Sequence, residues 1–234
     1  MSRRRALIFD YDGLILDTES ATFEVWREFY RDEGAELRLS DWLQAVGHVD
    51  NFDPRTHLER QNGRSYHWER VQAALRERIW RRIAGRAPLD GVADLIARGR
   101  AAGWRIGVAS NSDREWVRAG LESCGLLGRI DAIRARDDVV RHKPHPEVYL
   151  AVLGALDCDA GRSIAFEDSA AGTVAAKACG LRVIAVPNPL TRHHDLSAAD
   201  EIRHSLAGFE PPARADDPAR QPRPAIRAGG REPA

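Results

Sequence analysis

From Pro88 onward the chain alternates short apolar runs with amphipathic segments, and this alternation constrains its architecture more than any other feature. Helical periodicity near 91–102 precedes the run Arg105-Ile-Gly-Val-Ala-Ser110, and a helix near 114–123 precedes a short run near 131–134. The order repeats twice more, 146–155 before 162–167 and 170–178 before 182–186. Strands separated by helices imply βαβ units, hence a parallel sheet with helices on both faces. One further run, Arg5-Ala-Leu-Ile-Phe-Asp10, stands far upstream and reads as a strand buried on both faces. It belongs to the same sheet, so the chain predicts an α/β, Rossmann-like core with a long insertion in its first crossover.

That insertion has helical character from Thr18 to Arg86. Phe23, Trp26 and Phe29/Tyr30 recur at helical spacing, and Gly34 marks a stop. Ser40 is expected to cap a short helix through Val46. Asp53-Pro54 has the form of an N-cap followed by proline at the first helical position. Ser65 is expected to cap a longer helix carrying Val71, Leu75, Ile79 and Ile83. Trp26, Trp42, Trp68 and Trp80 form an aromatic stripe read mainly as core. A crossover needs far fewer residues, so 18–86 is expected to be an all-α cap over the sheet's carboxyl edge, where open α/β sheets bind ligands. The α/β core then comprises 1–17 and 87–210. The segment 211–234 holds six of the twelve prolines and few apolar residues, and is expected to be a disordered tail.

Formal net charge is zero, so no whole-molecule field recommends nucleic acid or an anionic membrane as partner. No apolar run approaches a membrane span. Cys124, Cys158 and Cys179 are odd in number and widely spaced, as expected of unpaired thiols in a reducing compartment; the expected location is the cytoplasm. A monomer or weak dimer is expected. Among the 35 lysines and arginines only Lys143 and Lys177 are lysine. A lysine surviving in that background hints at a site where a compact ammonium is needed.

Four segments at or just after strand ends carry acids, hydroxyls or that lysine. Asp10-Tyr11-Asp12-Gly13, followed by Asp17-Thr18-Glu19, sets two carboxylates two residues apart, able to hold a hard cation or to divide into nucleophile and general acid. Read alone, the segment is equally a plain turn; an EF-hand is disfavoured by Leu16 and Ala21. Ser110-Asn111-Ser112-Asp113 offers a hydroxyl and an amide at a helix start, suited to phosphate oxygens or to an ordinary cap. His142-Lys143-Pro144-His145-Pro146 presents one cation from a stiff loop. Phe166-Glu167-Asp168-Ser169 brings acids to a strand end, able to complete a magnesium site.

In this order the four segments resemble the successive motifs of the haloacid dehalogenase superfamily, and more narrowly the branch whose helical cap lies between the first two motifs. That branch holds β-phosphoglucomutase, phosphoglycolate phosphatase and sugar-phosphate phosphatases. The resemblance covers about residues 5–208. It implies a Mg²⁺-dependent phosphatase acting on a small phosphorylated metabolite through an aspartyl-phosphate. Asp10 would be nucleophile and metal ligand. Asp12 would be general acid, then base, and would give its backbone carbonyl to Mg²⁺. Ser110 and Asn111 would bind the phosphoryl group. Lys143 would neutralise charge between Asp10 and phosphate, and Glu167 and Asp168 would hold Mg²⁺.

Other chemistries of the family fit less well. The dehalogenases lack the second aspartate, present here as Asp12. The phosphonate hydrolases need a cap lysine, and none occurs before Lys143. Where β-phosphoglucomutase has a histidine this chain has Thr22, so phosphatase is preferred to mutase. A receiver-type signalling module would carry its acceptor aspartate at the third strand and lack the insertion. His48, Arg55, His57, His67 and Trp68 are candidates for choosing the substrate, unranked by sequence.

Overall fold

The computed structural model describes residues 4–45 and 52–212. Within them six strands form one parallel sheet: β1 (Ala6–Phe9), β2 (Arg105–Ala109), β3 (Ala132–Arg134), β4 (Ile164–Glu167), β5 (Arg182–Ala185) and β6 (Glu201–Ile202). Their spatial order is β3-β2-β1-β4-β5-β6. β1 pairs with β2 on one side, Phe9 against Val108, and with β4 on the other, Phe9 against Phe166. The order reverses at β1, so the carboxyl ends of β1, β2 and β4 adjoin at the switch point, where such sheets place their ligands.

Successive strand residues point to opposite faces, and here both faces are covered. Leu7, Phe9, Ile106, Val108 and Phe166 share one core with α5 (Val92–Ala101), α6 (Arg114–Ser123) and the helical insertion. Ala6, Ile8, Ala109, Ala165 and Val183 share the other with α7 (Glu147–Leu156) and α8 (Ala170–Ala178). That explains why the strands read as continuous apolar runs. Each large side chain withdrawn from water contributes roughly 1.5–3 kcal/mol.

The insertion comprises α1 (Thr18–Asp32), α2 (Leu39–Ala45), α3 (Pro54–Asn62) and α4 (Trp68–Ile83). Asp17 caps α1 by accepting from the Ser20 amide, and Asp53 caps α3 by accepting from Arg55. Two expected caps are displaced. α2 begins at Leu39, so Ser40 lies inside it, and α4 begins at Trp68 after His67, which makes no side-chain cap bond. Packing sets both starts. Trp42 packs against Phe23 and Trp26, while Trp68 stacks on Trp26 at 6.2 Å and donates to Glu59 Oε1 at 2.9 Å.

The short strand β6 lies at the sheet edge and extends the sheet beyond the last run legible in sequence. The chain that follows docks on the core. Leu206 and Phe209 are buried, Pro211 is buried too, and the Arg5 guanidinium donates to the Pro212 carbonyl at 2.9 Å. The tail expected from residue 211 therefore starts no earlier than 213, because Pro211 and Pro212 are packed. Residues 213–234, and Val46, Gly47 and His48, lie outside the described residues.

Candidate active site

The amide of Asp10 donates to the Phe166 carbonyl at 2.9 Å, one step beyond the β1–β4 pairs. The ladder thus fixes Asp10 at the sheet's carboxyl edge. The chain then turns tightly: the Gly13 amide donates to Leu16 O at 2.8 Å, with Gly13 at φ +76°. A side chain at Gly13 would meet Asn188 Nδ2 at 2.5 Å and Asp168 Oδ2 at 2.6 Å, so glycine is required by conformation and by space.

Lys143 enters from the β3–α7 connection and is 5% exposed. Its ammonium donates to Asp10 Oδ1 at 2.5 Å, Glu167 Oε1 at 2.6 Å and the Ala109 carbonyl at 2.9 Å, which uses its three donors. Burial pulls its pKa down, but Asp10 and Glu167 outweigh burial and hold it above the ordinary lysine value. Asn111 anchors the same segment, its side-chain amide accepting from Lys143 N at 3.0 Å and donating to Lys143 O at 3.3 Å.

Glu167, at the end of β4, is fully buried. Its Oε1 also accepts from Tyr149 at 2.6 Å, and its Oε2 accepts from the hydroxyl of Ser169 at 3.1 Å. Asp168 is 3% exposed and accepts from Asn188 Nδ2 at 2.8 Å. Asp10, Glu167 and Asp168 each offer an oxygen within 4.8 Å of the others. Burial pushes Asp10 well above the usual carboxylate range, opposed by Lys143 and reinforced by Glu167 and Asp12. Asp168 is raised likewise, by burial and then by Asp10 and Glu167.

The Asp12 carboxylate stands apart from that trio. Thr18 Oγ1 and Trp116 Nε1 donate to its Oδ1 at 2.8 and 3.2 Å, and Ser112 and Ser110 hydroxyls to its Oδ2 at 2.6 and 3.3 Å. Beside it Glu19 is half-buried, and its carboxyl is pushed up to about 7 by burial, Asp12 and Asp17.

These groups meet a cavity of about 700 Å³ between sheet edge and insertion, with Asp10, Asp12, Asn111, Lys143 and Asp168 at its floor and Trp26, Leu75, Arg76 and Ile79 among its walls. Of the expected site residues, Ser110 and Glu167 sit behind this surface, 1% and 0% exposed, holding Asp12 and Lys143 respectively. Of the expected substrate-choosing residues, Arg55, His57, His67 and Trp68 are not in the wall. Arg55 pairs with Asp53, and His57 packs on Tyr30 and Phe52. Sequence reasoning missed Ser112, Tyr149, Asn188, Trp116 and Arg76. Only Ser112 lay in a noticed motif; Tyr149, Trp116 and Arg76 are carried in on α7, α6 and α4, and Asn188 on the loop that follows β5.

Cys124, Cys158 and Cys179 are free and half-buried, and no helix among the described residues is long and apolar enough to cross a membrane.

Known proteins resemble the chain over most of its length. YhcW of Bacillus subtilis (strain 168) is 38% identical over 206 residues, covering 88% of this chain and 94% of its own. Hexitol phosphatase B of Escherichia coli (strain K12) is 30% identical over 187 residues, 79% of this chain and 84% of that protein. CbbY from Rhodobacter sphaeroides, solved as a mutant in complex with xylulose-(1,5)bisphosphate, superposes with a TM-score of 0.73 at 30% identity over 88% of this chain and 96% of that one. The family model of haloacid dehalogenase-like hydrolases matches residues 7–186, from β1 through β5, and the chain belongs to that family.

Proposed function

We propose that the protein is a Mg²⁺-dependent phosphatase of a small phosphorylated metabolite, such as a sugar phosphate, working through an aspartyl-phosphate on Asp10. The observation that carries this reading is the buried trio of carboxylates around one ammonium at the floor of a cavity, with Asp12 beside it. Three carboxylates against one ammonium leave two negative charges, which a divalent cation balances. Burial and mutual repulsion raise Asp10 and Asp168, as expected where a countercharge belongs. Hard oxygen donors suit Mg²⁺. Asp10 and Asp168 face the cavity and would hold it, with Glu167 adding charge from behind and the Asp12 carbonyl a further ligand. When bound, Mg²⁺ neutralises the phosphoryl oxygens and aligns them for in-line displacement.

In the first step an Asp10 carboxylate oxygen attacks phosphorus. The bond to the ester oxygen breaks, and Asp12 gives that oxygen a proton. In the second step water attacks phosphorus, Asp12 takes the water's proton, and the bond to Asp10 breaks to release inorganic phosphate. Lys143 stays at Asp10 throughout, offsetting charge that would otherwise repel the incoming anion. Asn111 lines the cavity and would meet a phosphoryl oxygen there, while Ser110, buried behind it, acts by holding Asp12.

Thr22 lines the cavity, and its hydroxyl donates to the Thr18 carbonyl at 2.8 Å. No imidazole stands there to activate a sugar hydroxyl, which favours water as acceptor over a β-phosphoglucomutase-like transfer. The phosphatase and sugar-bisphosphate associations of the relatives agree with this substrate class. Three unpaired thiols fit the cytoplasm. A panel of phosphorylated metabolites assayed for phosphate release with Mg²⁺, and again after chelation, tests the reading. Release that stops with chelator and returns with Mg²⁺ is expected; undiminished release in excess EDTA would reject the metal site.

A further inference from the structure

We propose that Trp116 is a positioning residue for Asp12, and that the helical insertion seats it. The inference rests on Asp12 being the general acid. The two oxygens of Asp12 have different keepers. Oδ2 is held by Ser112 and Ser110, both on the β2–α6 loop and so fixed to the sheet. Oδ1 is held by Thr18, the first residue of α1, and by the indole N–H of Trp116 on α6.

Trp116 is 9% exposed, and α4 of the insertion packs on its ring. Trp80 meets the indole edge-on, with centroids 5.8 Å apart at 63°. One turn earlier, the Arg76 guanidinium lies 4.8 Å from the same ring and forks onto Asp113 at 2.7 and 2.9 Å. Asp113 is the N-cap of α6 and accepts from the Trp116 amide at 2.8 Å. Backbone and ring of Trp116 are therefore both fixed where α4 meets α6.

The indole N–H is a donor only and its single bond goes to Asp12, so the ring's place sets one of the four bonds that orient the carboxylate. A proton donor must lie in line with the leaving oxygen, and a displacement of about 1 Å costs on the order of a hundredfold in rate. The alternative is that Trp116 merely fills the α4–α6 junction. The two differ in one readout. An alkyl phosphate expels a strongly basic alkoxide and needs the proton, whereas p-nitrophenyl phosphate expels a weakly basic phenolate and hardly does. kcat/KM reports steps up to Asp10 phosphorylation, so the later attack of water does not enter the comparison.

Trp116→Phe keeps the ring packing and removes the N–H. It is expected to lower kcat/KM for a hexitol phosphate at least tenfold more than for p-nitrophenyl phosphate. Trp80→Leu, which loosens the seat and leaves the N–H, is expected to move the ratio in the same direction by less. Asp12→Asn is run beside them and is expected to move it furthest. If Asp12→Asn lowers both esters equally, the reading of Asp12 as acid fails and the inference with it. If Asp12→Asn shifts the ratio but Trp116→Phe lowers both esters equally or neither, Trp116 is packing alone. If only Trp80→Leu leaves the ratio unchanged, the insertion does not seat the indole.

Discussion

At the scale of single residues, the site is governed by how few charges are left to balance one another. Asp10 touches one of the three ammonium hydrogens of Lys143, and no other cation reaches that carboxylate among the described hydrogen bonds and ion pairs. Asp10→Asn keeps size and shape but removes the proposed nucleophile. Turnover of p-nitrophenyl phosphate is expected to fall at least a thousandfold, about 4 kcal/mol in barrier, with an unchanged circular dichroism spectrum; retained hydrolysis would remove Asp10 from the mechanism. Lys143→Arg tests the shape of the cation instead. A planar fork cannot replace an ammonium enclosed by Asp10, Glu167 and the Ala109 carbonyl. A loss in kcat on the order of a hundredfold is expected, and a variant within a fewfold of the parent would show that charge alone suffices there.

At the scale of elements, the site depends on where helices begin. α8 starts beneath Glu167: Ser169 caps it by accepting from the Gly172 amide and donates its hydroxyl to Glu167. A Cβ at Gly172 would lie 1.9–2.1 Å from the Glu167 carboxylate. Gly172→Ala must therefore push Glu167 off Lys143 and Tyr149 or lift α8 from β4. A destabilisation of about 3 kcal/mol is expected, read as a lower urea midpoint, together with loss of activity. A stable, active Gly172→Ala protein would mean that the turn relaxes without cost.

At the scale of the whole molecule, the chain closes on itself at Gly91. That residue precedes α5 at φ +83°, and a Cβ there would lie 2.1 Å from the backbone of Leu206 and Ala207. The segment it receives buries Leu206 and Phe209. Ending the chain after Pro212 removes residues of low apolar content and is expected to leave the thermal midpoint unchanged. Ending it after Ser205 strips two large side chains from the core and is expected to cost at least ~4 kcal/mol. Equal midpoints for the two truncations would show that the 206–212 segment contributes nothing to stability.

Sequence alone determined the parallel α/β core, the position of the insertion and the four acid, hydroxyl and lysine segments. The reason is periodicity: buried parallel strands must be apolar throughout, and acids interrupt them at the carboxyl end, as Asp10 and Glu167 do. Asp53-Pro54 was legible as a cap because its chemistry is local. What tertiary structure decided is what rests on contacts between distant segments. The starts of α2 and α4 followed from tryptophan packing, and β6, only two residues long, left no alternation to read. Pro211 and Pro212 dock because Arg5 and the core receive them, which composition does not encode. Trp116 illustrates the limit most clearly. In sequence it is one aromatic on an amphipathic helix, and only the crossing of α4 over α6 brings Arg76 and Trp80 onto a ring whose N–H ends at Asp12.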